Sequence, residues 1–244
     1  MAAARQVLVI SGAGVSAESG IPTFRDAMQG LWSRHKPEDL ATPAAFARQP
    51  EVVWQWYQWR RRLVVDAQPN PGHRALAGLQ DCLPGMLLVT QNVDGLHQRA
   101  GSKDVIELHG NLFENQCSAS DCRHMAPNTD LEATTPPLCP SCGALMRPGV
   151  VWFGEGLPEA ALARARQAAS GCQLLLSVGT SAVVYPAADL AWMVKRTGAV
   201  LVEINPETTP LTAVADFVFP GPAGEILPAI LRALCPEPSD GAHT

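Results

Sequence analysis

The chain has 244 residues, 47% of them hydrophobic and 17% charged, with a formal net charge of −5. This length and composition are ordinary for a globular protein and allow one large domain with a smaller insertion. The acidic balance indicates no basic face for nucleic acid, and no apolar run reaches the length of a signal-peptide core or a membrane span. We therefore expect a cytoplasmic monomer that binds neither nucleic acid nor membranes.

The predicted elements alternate between strands and helices along most of the chain. Short apolar runs bounded by Gly, Asn, Asp or Pro predict buried strands at 7–10, 86–90, 105–108, 174–178, 200–204 and 217–219. Helical patterns lie between them at 73–83, 159–170, 187–196 and 225–234. This alternation predicts an α/β fold, with a Rossmann-like parallel sheet covered by helices on both faces.

Two segments interrupt this alternation. Residues 31–67 carry tryptophans and a helical pattern, and residues 111–146 carry a group of cysteines. We expect these two segments to form a smaller domain, made of a helical module and a zinc-binding module. The large domain would consist of residues 1–30, 68–110 and 147–237. The polar, turn-rich residues 238–244 are predicted to be a disordered tail.

The first predicted strand runs into a glycine-rich loop, GAGVSA at 12–17, which fits the G-x-G-x-x-A pattern of dinucleotide-binding folds. Glycines in such a loop let the backbone approach a pyrophosphate. A plain strand-to-helix turn is the alternative for so short a pattern. The usual ribose-binding acid, about 20 residues further on, is missing because residues 21–26 do not form a strand. Residues 205–207, at the end of a later strand, are a candidate for that role.

Polar clusters follow three further predicted strands. They are QNVD at 91–94, GTS at 179–181 and the single residue Asn205. One such cluster is explained equally well by a turn or a helix cap. Because ligands of open parallel sheets bind beyond the carboxyl ends of the strands, four polar loops at one edge predict a ligand site there.

Four of the seven cysteines form two close pairs, Cys117 with Cys122 and Cys139 with Cys142. This spacing predicts a tetrahedral site for one Zn²⁺ ion, which would be structural because four thiolates leave no open position. Four free thiols are the alternative. The other cysteines, Cys82, Cys172 and Cys235, stand in apolar stretches, and we expect them to be small buried hydrophobic residues without a disulfide.

Together these segments resemble the sirtuins, a family of NAD-dependent protein lysine deacylases. The resemblance runs in order from about residue 7 to 225 and rests on GAGVSAESGIPTFRD at 12–26, QNVDGLHQRAG at 91–101, His109–Gly110, the four cysteines, VVWFGE at 150–155, GTS at 179–181 and Asn205. The first cysteine pair is spaced more widely than is common in this family but stays within the range of zinc sites.

The resemblance implies a full set of contacts with NAD as co-substrate. The phosphates and a ribose would be held by Gly12, Ala13, Gly14, Ala17, Thr23, Phe24 and Arg25. The nicotinamide and its ribose would be surrounded by Gln91, Asn92 and Asp94. The adenosine half would be held by Gly179, Thr180, Ser181, Asn205, Pro206, Glu207 and Ala223.

The resemblance also implies that His109 is the catalytic base, assisted by Asn92 and Asp94. A histidine with a pKa near neutrality can take a proton from a ribose hydroxyl once the acyl-lysine oxygen has displaced nicotinamide. The expected products are lysine, nicotinamide and an O-acyl-ADP-ribose. The alternatives are an ordinary capping or core histidine at 109 and a turn-forming aspartate at 94.

The implied partner is an acyl-lysine peptide, bound as an added β-strand through main-chain hydrogen bonds. The resemblance assigns this contact to the segments 150–155 and 183–185, with Val151, Phe153, Gly154, Glu155 and Val184 as the contact residues.

The helical pattern at 54–62 places Tyr57 and Arg60 on one face. This pair resembles the Tyr-x-x-Arg signature of sirtuins that remove succinyl and malonyl groups. A guanidinium can pair with a carboxylate through two hydrogen bonds, and a phenol can add a third. The alternative is a surface helix on which the arginine run 60–62 is simply solvated.

Other functions remain open for this sequence. They are a deacetylase without a preference for acidic acyl groups, a non-catalytic sensor of NAD or ADP-ribose, and mono-ADP-ribosyl transfer to protein. A sensor would not need His109, and ADP-ribosyl transfer would leave Tyr57 and Arg60 without a role.

Overall fold

The computed structural model describes residues 4–23 and 36–236, and strands and helices alternate along most of this part of the chain. The strands are β1 (Val7–Ser11), β2 (Met86–Thr90), β3 (Ile106–Glu107), β4 (Gly110–Cys117), β5 (Met125–Pro127), β6 (Met146–Val150), β7 (Leu174–Val178), β8 (Val200–Ile204) and β9 (Phe217–Phe219). The helices are α1 (Ala13–Ala17), α2 (Pro43–Arg48), α3 (Pro50–Asp66), α4 (Pro71–Cys82), α5 (Leu96–Arg99), α6 (Glu159–Gly171), α7 (Ala188–Thr197) and α8 (Ala223–Leu234). Within the described ranges, no helix is both long and apolar enough to span a bilayer. The predicted tail lies outside these ranges.

Six strands form one parallel sheet in the order β3-β2-β1-β7-β8-β9. The central strand β1 lies between β2 and β7, with Val7 opposite both Met86 and Leu174. Each of the six strands coincides with a predicted one, although the segment predicted at 105–108 contributes only the two residues of β3. The predicted α/β fold with a parallel sheet is therefore confirmed.

Helices cover both faces of this sheet, which explains why its central strands β1, β2 and β7 are almost entirely apolar. Val7 and Val9 face the core that includes α4 and α8, whereas Leu8 and Ile10 face the core that includes α6 and α7. All five residues of β1 and of β7 are buried. A parallel strand buried on both faces reads as an unbroken apolar run, because neither set of alternating side chains meets water.

A second, antiparallel sheet has the order β5-β4-β6. Beside it, α2 and α3 share an apolar core with Leu112 of β4 and with Val150 and Trp152 at the end of β6. The division of the chain into a large and a small domain stays a prediction. Its expected boundary at residue 147 falls within β6, which pairs with β4.

Helix α3 is joined to β4 by a buried guanidinium, so its arginine run is not a uniformly solvated face. Arg61 is 0% exposed. It donates to the carbonyl oxygen of Leu112, to Oδ1 of Asn115 at 2.7 Å and to Oε1 of Gln58 at 2.8 Å. Its guanidinium also lies over the ring of Trp54, 4.9 Å from the centroid. Burial lowers the pKa of Arg61 to about 10, which still leaves it charged at neutral pH.

The expectation that Cys82 and Cys235 are small buried hydrophobic residues was wrong. Cys82 is exposed, and the structure joins the two residues in a disulfide with their Cα atoms 6.2 Å apart. The physical reason is the packing of α4 against α8, which brings the C-terminal ends of two helices together although 153 positions separate the cysteines. Cys172 is buried as predicted.

The Arg61 network predicts a large difference between neighbouring arginines. Arg61→Lys should lower the free energy of unfolding by about 2–4 kcal/mol, because one ammonium group cannot satisfy acceptors on three residues that a planar guanidinium reaches. The matched control is Arg62→Lys. Arg62 makes an exposed hydrogen bond to the carbonyl oxygen of Leu131, so its substitution should stay within about 0.5 kcal/mol. Urea denaturation of both variants checks this, and equal midpoints would contradict it.

Candidate active site

The loops after four parallel strands meet at one edge of the large sheet. The first backbone N–H beyond each of these strands donates to the carbonyl oxygen of the last residue of a neighbouring strand. These bonds run from Gly12 to Val178, from Gln91 to Ser11, from Gly179 to Ile204 and from Asn205 to Phe219. The sequence-predicted polar loops are therefore brought together at the carboxyl edge.

The glycine-rich loop packs directly against the loop after β7. Gly14 donates its N–H to the carbonyl oxygen of Gly179 at 2.9 Å. A Cβ atom at Gly12 or Gly14 would lie only 2.8 Å from the backbone of Gly179. Gly179 itself has a φ of +58°, in the left-handed region that favours glycine. The absence of side chains at Gly12, Gly14 and Gly179 therefore allows the backbones of the two loops to come into direct contact.

A buried polar network centres on Ser16, a residue to which the sequence analysis gave no role. Its hydroxyl donates to Oδ2 of Asp94 at 2.7 Å and accepts from Nδ2 of Asn92 at 3.0 Å. The side chain of Asn92 also donates to the carbonyl oxygen of Gly12 at 3.1 Å. Asp94 and Asn92 are 5% and 8% exposed, so Asp94 does more than form a turn. The network ties the glycine-rich loop to the loop after β2.

Two further histidines, also missed by the sequence analysis, lie behind this network. The ring centroids of His73 and His97 are 4.8 Å apart, and both side chains are buried. The hydroxyl of Ser11 lies 2.8 Å from Nε2 of His97. Burial lowers the pKa of His73 to about 4 and that of His97 to about 3, so both are neutral at physiological pH. His73 begins the helical pattern predicted at 73–83, whereas His97 lies in the motif at 91–101, and only the folded geometry brings them together.

The loop after β8 is held by a buried acid. Asn205 donates its Nδ2 to the carbonyl oxygen of Thr180 at 2.7 Å. Two residues earlier, Glu203 is 1% exposed and accepts hydrogen bonds from the hydroxyls of Thr209 and Thr212. Glu207, the sequence candidate for the ribose acid, lies exposed in the same loop.

His109 stands at the start of β4, next to the loop that follows β2. Its Nδ1 lies 2.9 Å from the carbonyl oxygen of Gln91. A carbonyl oxygen only accepts, so Nδ1 carries the proton and the lone pair of the neutral ring is on Nε2. Burial lowers the pKa of His109, and the bond to Gln91 opposes this shift. The result is a half-buried imidazole whose Nε2 can take up a proton.

Tyr57 and Arg60 lie on the inner side of α3, which excludes the alternative of a solvated surface helix. Tyr57 is 2% exposed, and its Oη accepts from Nε1 of Trp152 at 2.9 Å. The guanidinium of Arg60 lies over the ring of Trp56, 5.1 Å from the centroid. The half-buried guanidinium stands among Ile21, Pro22, Trp59, Leu63 and Val64.

Burial raises the pKa of Tyr57 to about 12, with Arg60 opposing the shift. Burial also lowers the pKa of Arg60, and the nearby Tyr57 and Asp94 oppose that shift. The phenol therefore keeps its proton at physiological pH.

The remaining predicted residues are distributed as follows. Ala13 and Ala17 lie at the two ends of α1, Thr23 is half-buried after it, and Phe24 and Arg25 lie outside the described residues. Ser181 and Pro206 are exposed, and Ala223 is buried at the start of α8. Val151 donates its N–H to the carbonyl oxygen of His109 at 2.9 Å. Phe153, Gly154 and Val184 are exposed, and Glu155 is half-buried.

The four predicted zinc ligands converge on one point. The sulfur atoms of Cys117, Cys122, Cys139 and Cys142 all lie within 4.8 Å of one another. Four thiolates about 2.3 Å from a zinc ion would be spaced about 3.8 Å apart, so the cluster fits a tetrahedral ion. Cys117 ends β4, whose other end follows His109.

Comparisons with known proteins agree with this geometry. Residues 12–186 match the sequence profile of the Sir2 family. A protein of Pseudomonas aeruginosa named NAD-dependent protein deacylase 1 is 52% identical over 242 residues, covering 97% of each chain. The crystal structure of a Sir2 homologue in complex with NAD has a TM-score of 0.89 and 47% identity, covering 96% of this chain and 90% of that one. A Sir2 complex with a p53 peptide and NAD+ has a TM-score of 0.83 and 34% identity, covering 95% and 94%.

The fold and the loop cluster define an α/β protein of the nucleotide-binding type with an added four-cysteine module. The chain belongs to the Sir2 family, and the resemblance stated from the sequence is confirmed.

The cysteine cluster predicts a stoichiometric metal. Cys139→Ser should lower the zinc content from about one ion per chain to almost none, and should lower the unfolding temperature, because the metal stabilises a module with few apolar residues. Cys172→Ser is the matched control, since its sulfur is buried outside the cluster near the carbonyl oxygen of Ala169. Elemental analysis of both purified variants checks this. Full zinc content in Cys139→Ser would contradict the proposed ligand set.

Proposed function

We propose that this protein is an NAD-dependent protein lysine deacylase that prefers acidic acyl groups such as succinyl and malonyl. The observation that carries the proposal is that His109 bonds to the loop that holds Asp94, while Arg60 lines a pocket with Ile21, which bonds to Ser16. The imidazole, carboxylate and guanidinium come from separate elements, and a binding module would not need all three.

The first part of the reaction concerns the bond between nicotinamide and ribose. NAD supplies an electrophilic sugar carbon when nicotinamide leaves. Asp94 and Asn92, oriented by Ser16, would stabilise positive charge at the sugar and hold the leaving amide. Their buried setting strengthens these contacts because little water competes for them.

His109 would then move the proton that the acyl transfer requires. With Nδ1 bonded to the carbonyl oxygen of Gln91, Nε2 is the nitrogen that accepts a proton from a ribose hydroxyl. The hydroxyl oxygen would then bond to the acyl carbon, and the bond from that carbon to the lysine nitrogen would break as the nitrogen takes up a proton. One water molecule would add the oxygen that completes the O-acyl-ADP-ribose, so that lysine and this ester are the products. A sensor that only binds NAD would have no need for this base.

The acyl-lysine peptide would lie as an added strand between the segment 150–155 and Val184. Phe153 is 53% exposed and Val184 39%, which leaves apolar surface for a peptide backbone and its neighbours. Val151 bonds to the carbonyl oxygen of His109, so the peptide-binding segment and the base are held in register. The similar structure of a Sir2 protein in complex with a p53 peptide supports the proposal that the partner is a peptide.

Arg60 and Tyr57 support the preference for acidic acyl groups. Arg60 lines a pocket with Ile21, Pro22 and Val64, so its cation is available there to an anionic group. A succinyl or malonyl carboxylate could accept two hydrogen bonds from Arg60 and one from the phenol of Tyr57. An acetyl group ends in a methyl group, so it has no carboxylate to make this contact.

The first test of this preference is Arg60→Met. We expect kcat/KM for a succinyl-lysine peptide to fall about 10- to 100-fold, since charge-assisted contacts contribute about 1.5–3 kcal/mol, while kcat/KM for the acetyl-lysine peptide of the same sequence changes far less. Arg62→Met, on the same helix but exposed, is the control and should change neither value. Equal loss of both activities in Arg60→Met would make Arg60 a structural residue.

The second test concerns the base. His109→Ala should lower kcat at least about 100-fold with either acyl peptide while NAD binding and the unfolding temperature are retained. In the unchanged enzyme, kcat/KM should fall towards acid pH, because only the neutral imidazole accepts a proton. Burial places the midpoint of this fall below the ordinary histidine pKa of about 6.5. Retained turnover in the variant would remove His109 from the mechanism.

A further inference from the structure

A buried hydrogen bond connects the peptide-binding segment to the helix that carries Tyr57. Nε1 of Trp152 donates to Oη of Tyr57 at 2.9 Å, and the two residues are 3% and 2% exposed. An indole nitrogen can only donate, so the phenol oxygen accepts in this contact. The phenol proton is therefore left to donate in another direction, and its orientation is constrained by the bond that the oxygen already makes.

The indole of Trp152 is itself held from several sides. The guanidinium of Arg147 lies over its ring, 3.9 Å from the centroid, and Phe46 packs against it with ring centroids 5.4 Å apart. Glu155 accepts the backbone N–H of Trp152 at 2.8 Å and pairs with Arg147 at 2.8 Å. With its ring packed and its backbone bonded, Trp152 presents its N–H in a fixed direction.

We propose that Trp152 is a positioning residue for acyl selectivity: its indole N–H fixes the phenol of Tyr57 so that the phenol proton is donated to the terminal carboxylate of a succinyl or malonyl group. This inference rests on the proposed function, because only an acidic acyl group offers that carboxylate. Trp152 touches neither the acyl group nor NAD in this role and acts through Tyr57 alone.

This role makes a prediction that a merely structural role does not. Acetyl-lysine and succinyl-lysine share the peptide backbone contacts, the steps at the ribose and the base His109. Only the succinyl group uses the phenol proton. Loss of the indole N–H should therefore change the ratio of the two kcat/KM values, whereas general damage to the segment 150–155 would lower both values together and leave the ratio as it was.

The experiment is a double-mutant cycle with Trp152→Phe and Tyr57→Phe, read as kcat/KM for succinyl-lysine divided by kcat/KM for acetyl-lysine on one peptide sequence. We expect Tyr57→Phe to lower this ratio about tenfold and Trp152→Phe to lower it at least about threefold, mainly through the KM of the succinyl peptide. The double variant should match Tyr57→Phe alone, because without the phenol hydroxyl the indole N–H has nothing to position.

Two controls separate hydrogen bonding from packing. Phe46→Leu disturbs the packing of the same indole but keeps both its N–H and the phenol that accepts from it, so it should lower the ratio clearly less than Trp152→Phe does. If Trp152→Phe does not fold, benzothienylalanine at position 152 replaces the N–H by sulfur in a ring system of nearly the same shape. The ratio should fall with that substitution as well.

The outcomes distinguish this inference from the proposed function. Suppose that the unchanged enzyme shows no preference for succinyl-lysine and that Arg60→Met has the same ratio of kcat/KM values. That result would overturn both the acidic-acyl proposal and this inference. If Arg60→Met and Tyr57→Phe lower the ratio but removal of the indole N–H does not, only the role of Trp152 is overturned. Additive effects of the two substitutions would also overturn it, since Trp152 would then act independently of Tyr57.

Discussion

The site depends on the close approach of two backbones at the carboxyl edge of the parallel sheet. Gly12 and Gly14, directly after β1, lie against Gly179, directly after β7, at distances that leave no space for a Cβ atom. This contact is possible because β1 and β7 run in parallel and in register from Val7 opposite Leu174 to Ser11 opposite Val178. The same contact fixes the start of α1, and with it the position of Ser16.

Ser16 then transmits this placement to the loop after β2. Because its hydroxyl bonds to both Asn92 and Asp94, the two side chains proposed to face the nicotinamide ribose are oriented from the glycine-rich loop. The backbone of Gln91 in turn orients His109 through Nδ1. The imidazole of His109, the carboxylate of Asp94 and the amide of Asn92 are thus held by a chain of short contacts that begins with glycine packing, and each of them is half-buried or buried.

Local patterns predicted those features that local physics determines. The apolar runs predicted the parallel strands because burial on both faces leaves few polar positions in the central strands β1, β2 and β7. The cysteine spacing predicted a cluster because a tetrahedral site needs ligand pairs close in sequence. The Cys82–Cys235 disulfide and the Arg61 network could not be predicted in this way. Each depends on which helix packs on which neighbour, and residues brought together over 153 or about 50 positions carry no periodic signal. The sequence analysis included Trp152 in the motif at 150–155. It could not predict the hydrogen bond to Tyr57, which lies 95 positions earlier.

Strand β4 of the second sheet connects the four-cysteine cluster to His109, the proposed base. Strand β4 has eight residues, and it begins directly after His109 and ends at Cys117. Cys117 pairs with Met146 and Gly110 with Val150, which are four residues apart in β6. At about 3.3 Å per residue the two ends of β4 are roughly 13 Å apart, which exceeds the screening length of about 8 Å in physiological salt. Fixing Cys117 would fix one end of β4, while Arg61 holds its middle against α3 at Leu112 and Asn115. An ion at the four cysteines would therefore support the position of His109 and the packing of α3 mechanically, and a four-thiolate site with no open position suits that task.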